Sequence, residues 1–502
     1  MDMTPLDPSP DDAGDADRAL ARFVPMFAGH TVLVLGDIML DRYVTGDVRR
    51  ISPEAPIPVL RAAGRSAVLG GAANVAQNVA ALGAFAVLIG VVGQDDASHA
   101  IEALLAASGH VTGRLVRAPE RPTTVKTRFM AGSHQLLRLD EEDASAIDAA
   151  TETALLAAFA SAVALVDVVV LSDYAKGVLT DRVLEQAISL ARAAGKPVVA
   201  DPKRATFDAY RHASVLTPNE LEVTKAAGFA VHDDATAVAA GLAALAQAQA
   251  DAVLVTRSEK GMTLVRPGLE PLHVPTRARA VADVSGAGDT AAATLAVMLA
   301  CGASLPEAAM MANIAAGISV GKPGSATVSR DELVEVMHER EVLAIDHKVV
   351  DLETALARIA AWRGQGLRVG FTNGCFDLIH PGHVRMLHKS RAACDRLVVG
   401  LNSDESVRRL KGPTRPVQTE AARATVMASI ASSDLVILFG EDTPERLIHA
   451  IRPDRLFKGA DYRLDQVVGG AFVQSHGGRV VLIDLEEGFS TTKTIARATL
   501  PG

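Results

Sequence analysis

The chain has 502 residues, of which 49% are hydrophobic and 22% charged, and its formal net charge is -9. This length is about three times that of a typical domain of ~150 residues, so two or more hydrophobic cores are expected. Lys and Arg form no basic stripe and the three cysteines are too few for a disulfide framework, so we expect no nucleic-acid partner and a reducing, cytoplasmic location.

The first 24 residues are acidic and carry Pro5, Pro8 and Pro10. They lack the apolar core of a signal peptide and predict a disordered tail. The most membrane-like stretch, 154–171, is interrupted by Asp167 and changes from an Ala-rich helical pattern to a strand-like run. No membrane partner is therefore expected.

The first half alternates apolar strand candidates with Ala-rich helical segments. The candidate strands lie at 31–35, 86–92, 168–171, 197–200, 214–216 and 252–256. This alternation predicts a doubly wound α/β domain with a mostly parallel sheet, whose ligands bind at the carboxyl ends of the strands. Alternating residues on both sides of a turn, at 122–140, predict a hairpin flap.

A charged segment at 330–348 precedes a fresh helical pattern. We place a domain boundary near 345, which gives domains at 25–345 and 346–502. Further strands are predicted at 368–372, 396–401, 435–439, 455–458 and 479–483. The second domain is thus expected to be a smaller, doubly wound, Rossmann-like α/β unit.

The segment Asp283-Val-Ser-Gly-Ala-Gly-Asp289-Thr opens an Ala-rich helical run. Phosphoryl transfer needs charge stabilisation and a base, and a helix N-terminus with one carboxylate provides both. Asp289 is the predicted base, and the predicted anion hole consists of Gly286, Ala287 and Gly288. The alternative is a tight turn in which Asp289 only caps the helix.

A second glycine motif, Leu69-Gly70-Gly71-Ala-Ala-Asn74, lets a sugar approach the backbone. With the motif ending at Asp289, it resembles the ribokinase-like family of sugar kinases over most of residues 30–340. The resemblance implies a ribokinase-like α/β sandwich with a β flap. The sugar-binding side chains and glycines that it implies are Asp37, Asp41, Gly70, Gly71 and Asn74.

The same resemblance implies ATP as co-substrate, with Asn219 and Glu222 organising Mg²⁺ through water. It places Glu220, Leu221, Thr256, Ser258 and Gly261 at the nucleotide, suggests a homodimer and leaves a monovalent cation open. Four cations predict a phosphorylated sugar: Lys126, Arg128 and Arg138 of the flap, and Lys176. Their alternative is an ordinary charged surface.

In the second half, a predicted strand runs into Asn373-Gly-Cys-Phe-Asp-Leu-Ile-His380-Pro-Gly-His383, where a helix begins. Imidazole N–H groups and backbone amides at a helix N-terminus can hold a triphosphate and stabilise charge on the α-phosphate. His380 and His383 are therefore predicted catalytic residues. A zinc site is the weaker alternative, because no third ligand is patterned nearby.

This segment resembles the nucleotidyltransferase superfamily of the cytidylyltransferase type, over residues 368–493. The resemblance implies a nucleotide site that extends along the domain. Its members are Thr372, Asn373, Gly374, Phe376, Asp377, Asn402, Asp404, Lys411, Arg415, Lys458, Asp461, Ser490, Thr491 and Thr492.

The order of the two domains resembles a bacterial family in which a heptose 7-phosphate kinase is fused to a heptose 1-phosphate adenylyltransferase. That resemblance implies phosphorylated heptose substrates and ADP-heptose for the lipopolysaccharide core. One alternative is a kinase fused to a cytidylyltransferase for another sugar or polyol phosphate. Another is a sensing or scaffold protein without catalysis, against which the intact Asp289, His380 and His383 speak.

Overall fold

A computed structural model of the chain describes residues 19–132, 134–276, 281–460 and 462–484. These residues form two compact units. One unit is Leu20–Val336, and the other contains the chain from Met337 onward.

The first unit is built on a nine-stranded sheet in the order β13-β12-β11-β10-β9-β8-β1-β4-β5. All neighbouring strands are parallel except at one edge, where β12 pairs antiparallel with both β11 and β13. The strands of this unit are β1 (Thr31–Gly36), β2 (Ile38–Ile51), β3 (Pro58–Gly71), β4 (Phe85–Val92), β5 (Val111–Arg117), β6 (Thr124–Ala131), β7 (His134–Glu141), β8 (Val168–Ser172), β9 (Val198–Asp201), β10 (Val215–Leu216), β11 (Ala252–Thr256), β12 (Met262–Val265) and β13 (Leu272–Val274).

Helices connect and cover these strands, which explains why the central strands are continuous apolar runs. Strand β8, for example, is buried at every position. The helices are α1 (Ala72–Ala81), α2 (Asp96–Ala107), α3 (Ala149–Val163), α4 (Asp181–Ala193), α5 (Glu220–Ala227), α6 (Asp234–Ala248), α7 (Ala287–Ala300) and α8 (Leu305–Ser319), with short 3₁₀ turns at Val24–Gly29, Asp208–Tyr210 and Ser258–Lys260.

Four strands form the flap, a separate sheet in the order β3-β2-β6-β7. The predicted hairpin is confirmed as β6 and β7, but β2 and β3, at 14 residues each, were not predicted. Their outer halves are exposed and carry no apolar run, because β2 and β3 pair with each other there, while the inner part of β2 pairs with β6.

The second unit has a six-stranded, wholly parallel sheet in the order β14-β17-β16-β15-β18-β19. Its strands are β14 (Val349–Val350), β15 (Val369–Gly374), β16 (Arg396–Asn402), β17 (Leu435–Phe439), β18 (Arg455–Gly459) and β19 (Arg479–Ile483). Its helices are α9 (Arg330–Lys348), α10 (Leu352–Gly364), α11 (Pro381–Ala392), α12 (Asp404–Lys411), α13 (Glu420–Ala428), α14 (Glu445–Ile451) and α15 (Gly470–Ser475), with a 3₁₀ turn at Leu464–Gln466. The doubly wound plan predicted for both halves is confirmed.

The ends of the units differ from the predicted domain limits. The tail predicted at 1–24 lies largely outside the described residues, but Leu20, Phe23 and Val24 are buried. Their i, i+3, i+4 spacing explains this, since it places all three on one face of a helical turn. At the other end, the division between Val336 and Met337 lies within α9, the helix that also contains residue 345.

Among the described residues, no helix has both the length and the apolar character that crossing a bilayer requires.

Candidate active sites

Asp289 lies in the first turn of α7, where it is 5% exposed. Its two oxygens accept hydrogen bonds from Asn74 Nδ2 at 2.6 Å and from the hydroxyl of Tyr174 at 2.5 Å. Burial raises the pKa of Asp289 to about 6, although both hydrogen bonds act in the opposite direction. A carboxyl with such a pKa is ionised at neutral pH and can accept a proton, as a general base must.

The predicted anion hole begins the same helix. Gly286 is the N-cap residue, and its φ of 80° is in the left-handed region that favours glycine. A Cβ atom there would lie 3.2 Å from Asn74 Nδ2, so the glycine also leaves room for the amide that holds Asp289. The helix starts at Ala287, which brings the amides of the predicted anion hole to its positive end.

A chain of buried hydrogen bonds holds Asn74 in place. Asn78 donates to the backbone oxygen of Asn74 at 2.9 Å, and Thr290 donates to the side-chain oxygen of Asn78 at 2.9 Å. Helices α1 and α7 are thereby tied together beside Asp289. A buried network that is fully bonded in this way holds one geometry.

Asp37 and Asp41, both predicted to bind sugar, already have protein partners. The carboxylate of Asp37 accepts the backbone N–H groups of Tyr174 at 2.8 Å, Lys176 at 3.1 Å and Val178 at 3.2 Å. Asp37 therefore holds the loop after β8. Asp41 pairs with Arg128 of the flap, and Gly70 leaves space for its carboxylate, because a Cβ there would lie 2.3 Å from Asp41 Oδ2.

The remaining predicted cations are also paired. Lys126 Nζ lies 3.4 Å from Asp140 and 3.5 Å from Glu142, and Lys176 donates to Glu142 at 2.6 Å. Arg138 pairs with Asp140 at 2.8 Å and is the most exposed of the four cations. Lys126 and Lys176 thus share one carboxylate, Glu142, in a partly buried cluster.

The two predicted nucleotide motifs of the first unit lie side by side, since Asn219 and Thr256 form an isolated parallel bridge. Asn219 caps α5, and Glu222 returns the bond in a capping box, with distances of 2.9 and 2.8 Å. Glu220 is on the first turn of α5, and Leu221 beside it is 63% exposed. Ser258 and Gly261 bound the turn after β11, both with positive φ.

The sequence analysis missed three groups of this site: Tyr174, Asp201 and Lys203. Asp201 ends β9, where burial and then the charges of Glu222 and Asp289 raise its pKa to about 8. Lys203 follows at once, with Nζ 2.5 Å from Glu222 and 5.8 Å from the ring centre of Tyr174. All three come directly after predicted strands, and that position is a usable signal.

We tested the predicted magnesium site against these groups. No cluster of three His, Cys, Asp or Glu ligands occurs among the described residues, so a cage made of protein alone is not there. Mg²⁺ usually keeps several waters and binds one or two carboxylates plus phosphates. The carboxyls of Asp201, at the end of β9, and of Glu222, which is 7% exposed, fit that role, whereas the side-chain oxygen of Asn219 is engaged in the helix cap.

In the second unit, His380 is the N-cap residue of α11 and His383 lies in its first turn. The two imidazoles stack with ring centres 3.8 Å apart and an interplanar angle of 17°. Burial and then the charge of His380 lower the pKa of His383 to about 4, and burial lowers that of His380. Both rings are therefore neutral at pH 7, and each carries one N–H donor.

The loop after β15 packs against these histidines. Phe376 has a φ of 42°, which is uncommon outside glycine, and its ring meets that of His383 edge-on at 5.3 Å. A Cβ at Gly374 would lie 3.0 Å from the Phe376 ring. Asn373 accepts a bond from Lys458 Nζ at 2.6 Å, which joins the carboxyl ends of β15 and β18.

Other predicted nucleotide residues bind the protein itself. Thr372 donates to the backbone oxygen of Phe457 at 3.2 Å, and Asn402 donates to Ser406 at 3.0 Å. Asp377 pairs with Arg415 and accepts the N–H of Val417 at 2.7 Å. The contacts of Asp377 hold the loop that follows α12, the helix that ends at the predicted Lys411.

A buried arginine that the sequence analysis missed joins these loops. Arg423, on α13, is 1% exposed and donates to the backbone oxygen of Cys375 at 2.6 Å. It also donates to Asp404 at 2.7 Å and to the backbone oxygen of Gln418 at 3.2 Å. Nothing in the sequence distinguishes it from a surface arginine of an amphipathic helix. The predicted residues Asp461, Ser490, Thr491 and Thr492 lie outside the described residues.

Comparison with known families assigns both units. Residues 30–332 match the family described as pfkB family carbohydrate kinase, and residues 371–496 match the family described as cytidylyltransferase-like. A protein named Bifunctional protein HldE from Caulobacter vibrioides is 54% identical over 482 residues, which are 96% of this chain and 99% of that protein. A protein of the same name from Rhodospirillum rubrum is 51% identical over 98% of each chain.

Solved structures resemble the first unit. Arabidopsis thaliana ribokinase, complexed with ribose and ATP, has a TM-score of 0.50 and 22% identity over 61% of this chain and 98% of that one. Escherichia coli phosphofructokinase-2, in complex with potassium, has a TM-score of 0.52 and 20% identity over 62% of this chain and 98% of that one. At these identities the likeness shows the fold alone, and it confirms the ribokinase-like fold.

Proposed function

Since the chain belongs to the family of bifunctional HldE proteins, which join a carbohydrate kinase to a cytidylyltransferase-like unit, we propose that it performs two ATP-dependent steps of ADP-heptose synthesis. The first unit phosphorylates C1 of D-glycero-β-D-manno-heptose 7-phosphate. After another enzyme removes the C7 phosphate, the second unit transfers AMP to the heptose 1-phosphate and releases pyrophosphate. The product supplies the lipopolysaccharide core.

The observation that carries the kinase reaction is the buried carboxylate of Asp289 at the N-terminus of α7. As the C1 hydroxyl attacks the γ-phosphate of ATP, Asp289 accepts its proton, and the amides at the start of α7 stabilise the negative charge of the phosphoryl group. The Asn74 bond at 2.6 Å supports this role, because it fixes the direction of the carboxylate.

For the phosphates of ATP, we propose that Asp201 and Glu222 hold a hydrated Mg²⁺ and that Lys203 leaves Glu222 to contact the γ-phosphate. When bound, the ion neutralises charge that develops on the phosphates.

At the far end of the sugar, Lys126 and Lys176 release their shared partner Glu142 and bind the C7 phosphate instead. Dependence on a monovalent cation stays a prediction, tested by exchanging K⁺ for tetramethylammonium.

In the second unit, the heptose 1-phosphate attacks the α-phosphate of ATP and pyrophosphate leaves. The nucleophile is already an anion, so no general base is required. His380 and His383 donate N–H bonds to the α-phosphate as neutral imidazoles, beside the N-terminus of α11. Their low pKa values support donation without a prior proton uptake.

The decisive experiment supplies ATP with a panel of sugar 7-phosphates and sugar 1-phosphates and follows ADP and pyrophosphate separately. We expect ADP release only with the heptose 7-phosphate and pyrophosphate release only with the heptose 1-phosphate. The mass of the nucleotide product distinguishes ADP-heptose from a CDP-linked product made from CTP. If neither heptose phosphate is turned over, the proposed function is refuted.

We further propose that both reactions occur in the cytoplasm, because both consume ATP and the three cysteines are free thiols.

We also propose that the protein is a homodimer. Apolar side chains exposed on the flap support it, since Ile51, Leu137 and Leu139 are 60%, 59% and 47% exposed. Analytical ultracentrifugation tests this, with Leu137→Lys expected to yield monomers.

A further inference from the structure

The hydroxyl of Tyr174 occupies one oxygen of the proposed base. It donates to Asp289 Oδ1 at 2.5 Å, while Asn74 donates to Oδ2 at 2.6 Å. The two donors differ in their setting. Asn74 is 2% exposed and belongs to the α1–α7 network, whereas Tyr174 lies half-buried on the loop after β8. Tyr174 therefore reaches Asp289 from the loop after β8, whereas Asn74 reaches it from α1.

Two contacts fix the position of Tyr174 itself. Its backbone N–H donates to Asp37 Oδ2 at 2.8 Å, and the ammonium of Lys203 lies 5.8 Å from its ring centre. Asp37 also accepts the N–H groups of Lys176 and Val178, so the whole loop is anchored at one carboxylate. The backbone of Tyr174 is thus fixed by Asp37, and its hydroxyl is held by Asp289.

We propose that Tyr174 is a positioning residue of the kinase reaction, which keeps Asp289 ionised and directs its remaining lone pairs to the attacking sugar hydroxyl. This inference rests on the proposed role of Asp289. A carboxylate oxygen accepts more than one hydrogen bond, so the phenol and the sugar hydroxyl can share Oδ1. The proton of the sugar hydroxyl passes to Asp289, and the phenol keeps its own proton throughout.

The electrostatics of the site agree with this role. Burial and then the charge of Asp289 raise the pKa of Tyr174 well above its ordinary value, so the phenol remains a donor. The same hydrogen bond lowers the pKa of Asp289 against the larger effect of burial. The bond from Asn74 and the charge of Lys203 also lower this pKa, and the charge of Asp41 raises it. A donor to the ionised form stabilises that form, and its removal favours the protonated, inactive base.

The test is the pH dependence of kinase kcat/KM in the full chain with Tyr174→Phe. We expect the acid limb to move up by about one pH unit, since a hydrogen bond to a charged group is lost. The rate then falls about fivefold at pH 6 and recovers towards wild type by pH 8.5. Pyrophosphate release by the second unit serves as the internal standard.

Tyr210→Phe is the matched control, because the hydroxyl of Tyr210 donates to another buried carboxylate, Asp173, at 2.6 Å. It removes the same atom and should leave the acid limb where it is. A uniform loss of rate in Tyr174→Phe with an unmoved limb, or no change at all, overturns the inference. If Asp289→Asn retains kinase activity, the proposed base itself is wrong, which is a separate outcome.

A second measurement does not depend on turnover. The carboxyl of Asp289 is titrated by ¹³C NMR in the ligand-free protein, and Asp289→Asn identifies its signal. The midpoint should rise in Tyr174→Phe and stay unchanged in Tyr210→Phe. Equal midpoints in all three proteins would refute the role of the phenol, whatever the rates.

Discussion

Replacing Asp289 with Asn removes a buried charge at nearly constant shape. The pKa of Asp289 is raised by burial from 3.8 to about 6, a difference of about two pH units. At ~1.36 kcal/mol per unit, the ionised carboxylate costs the folded first unit about 3 kcal/mol. Because the folded pKa lies above the unfolded one, the contribution of this carboxyl to stability is complete below pH 3.8 and is lost as the pH rises through 6.

The Asn side chain carries no charge, so the stability of Asp289→Asn relative to wild type should increase by about 2 kcal/mol between pH 4 and pH 7, the part of the full difference that falls in this interval. Its kinase rate should fall about 10²- to 10⁴-fold, the usual contribution of a general base. Urea denaturation at several pH values measures the stability. The single tryptophan, Trp362, lies in the second unit, so its fluorescence separates that transition from the circular dichroism of the first.

Asn74→Asp serves as the comparison, because it places a second carboxyl against Asp289 and should make the pH dependence steeper. A stability difference between Asp289→Asn and wild type that does not change with pH would refute the reasoning about the buried charge. Retained ADP release in that variant would refute the role of the carboxylate as base.

Three further results are expected. His383→Ala should abolish pyrophosphate release and spare ADP release. Because burial and the neighbouring imidazole lower the pKa of His383 to about 4, protonation of His383 should contribute no acid limb to the wild-type transferase rate between pH 5.5 and 8. Arg423→Met should destabilise the second unit by about 2–4 kcal/mol in tryptophan-monitored denaturation, since it removes the hydrogen bonds of a buried guanidinium to Asp404 and to two backbone oxygens. Arg409→Met, in an exposed pair, should cost less than about 1 kcal/mol. Glu142→Gln should lower KM for the sugar 7-phosphate severalfold and leave KM for ATP unchanged, because it frees Lys176 for the phosphate; an unchanged sugar KM would contradict that site.

The sequence predicted the sheets well where strands are continuous apolar runs. Every predicted strand of the central sheets is present, because burial on both faces imposes that composition. It missed β2 and β3, whose exposed halves depend on pairing with each other, the strands β5, β12 and β13 towards the edges of the sheet, and the two-residue strand β14. Short or half-exposed strands are stabilised by their neighbours in the sheet, and those neighbours are distant in the chain.

The sequence alone determined the two chemistries, because Asp289 and the pair His380 and His383 lie in local motifs that begin helices. Only the tertiary structure decided what surrounds them. Tyr174 meets Asp289 across 115 residues and Arg423 meets Cys375 across 48, through contacts that no local pattern records. The pKa of Asp289 likewise depends on burial by the whole fold, so the motif identifies the proposed base and packing sets its pKa.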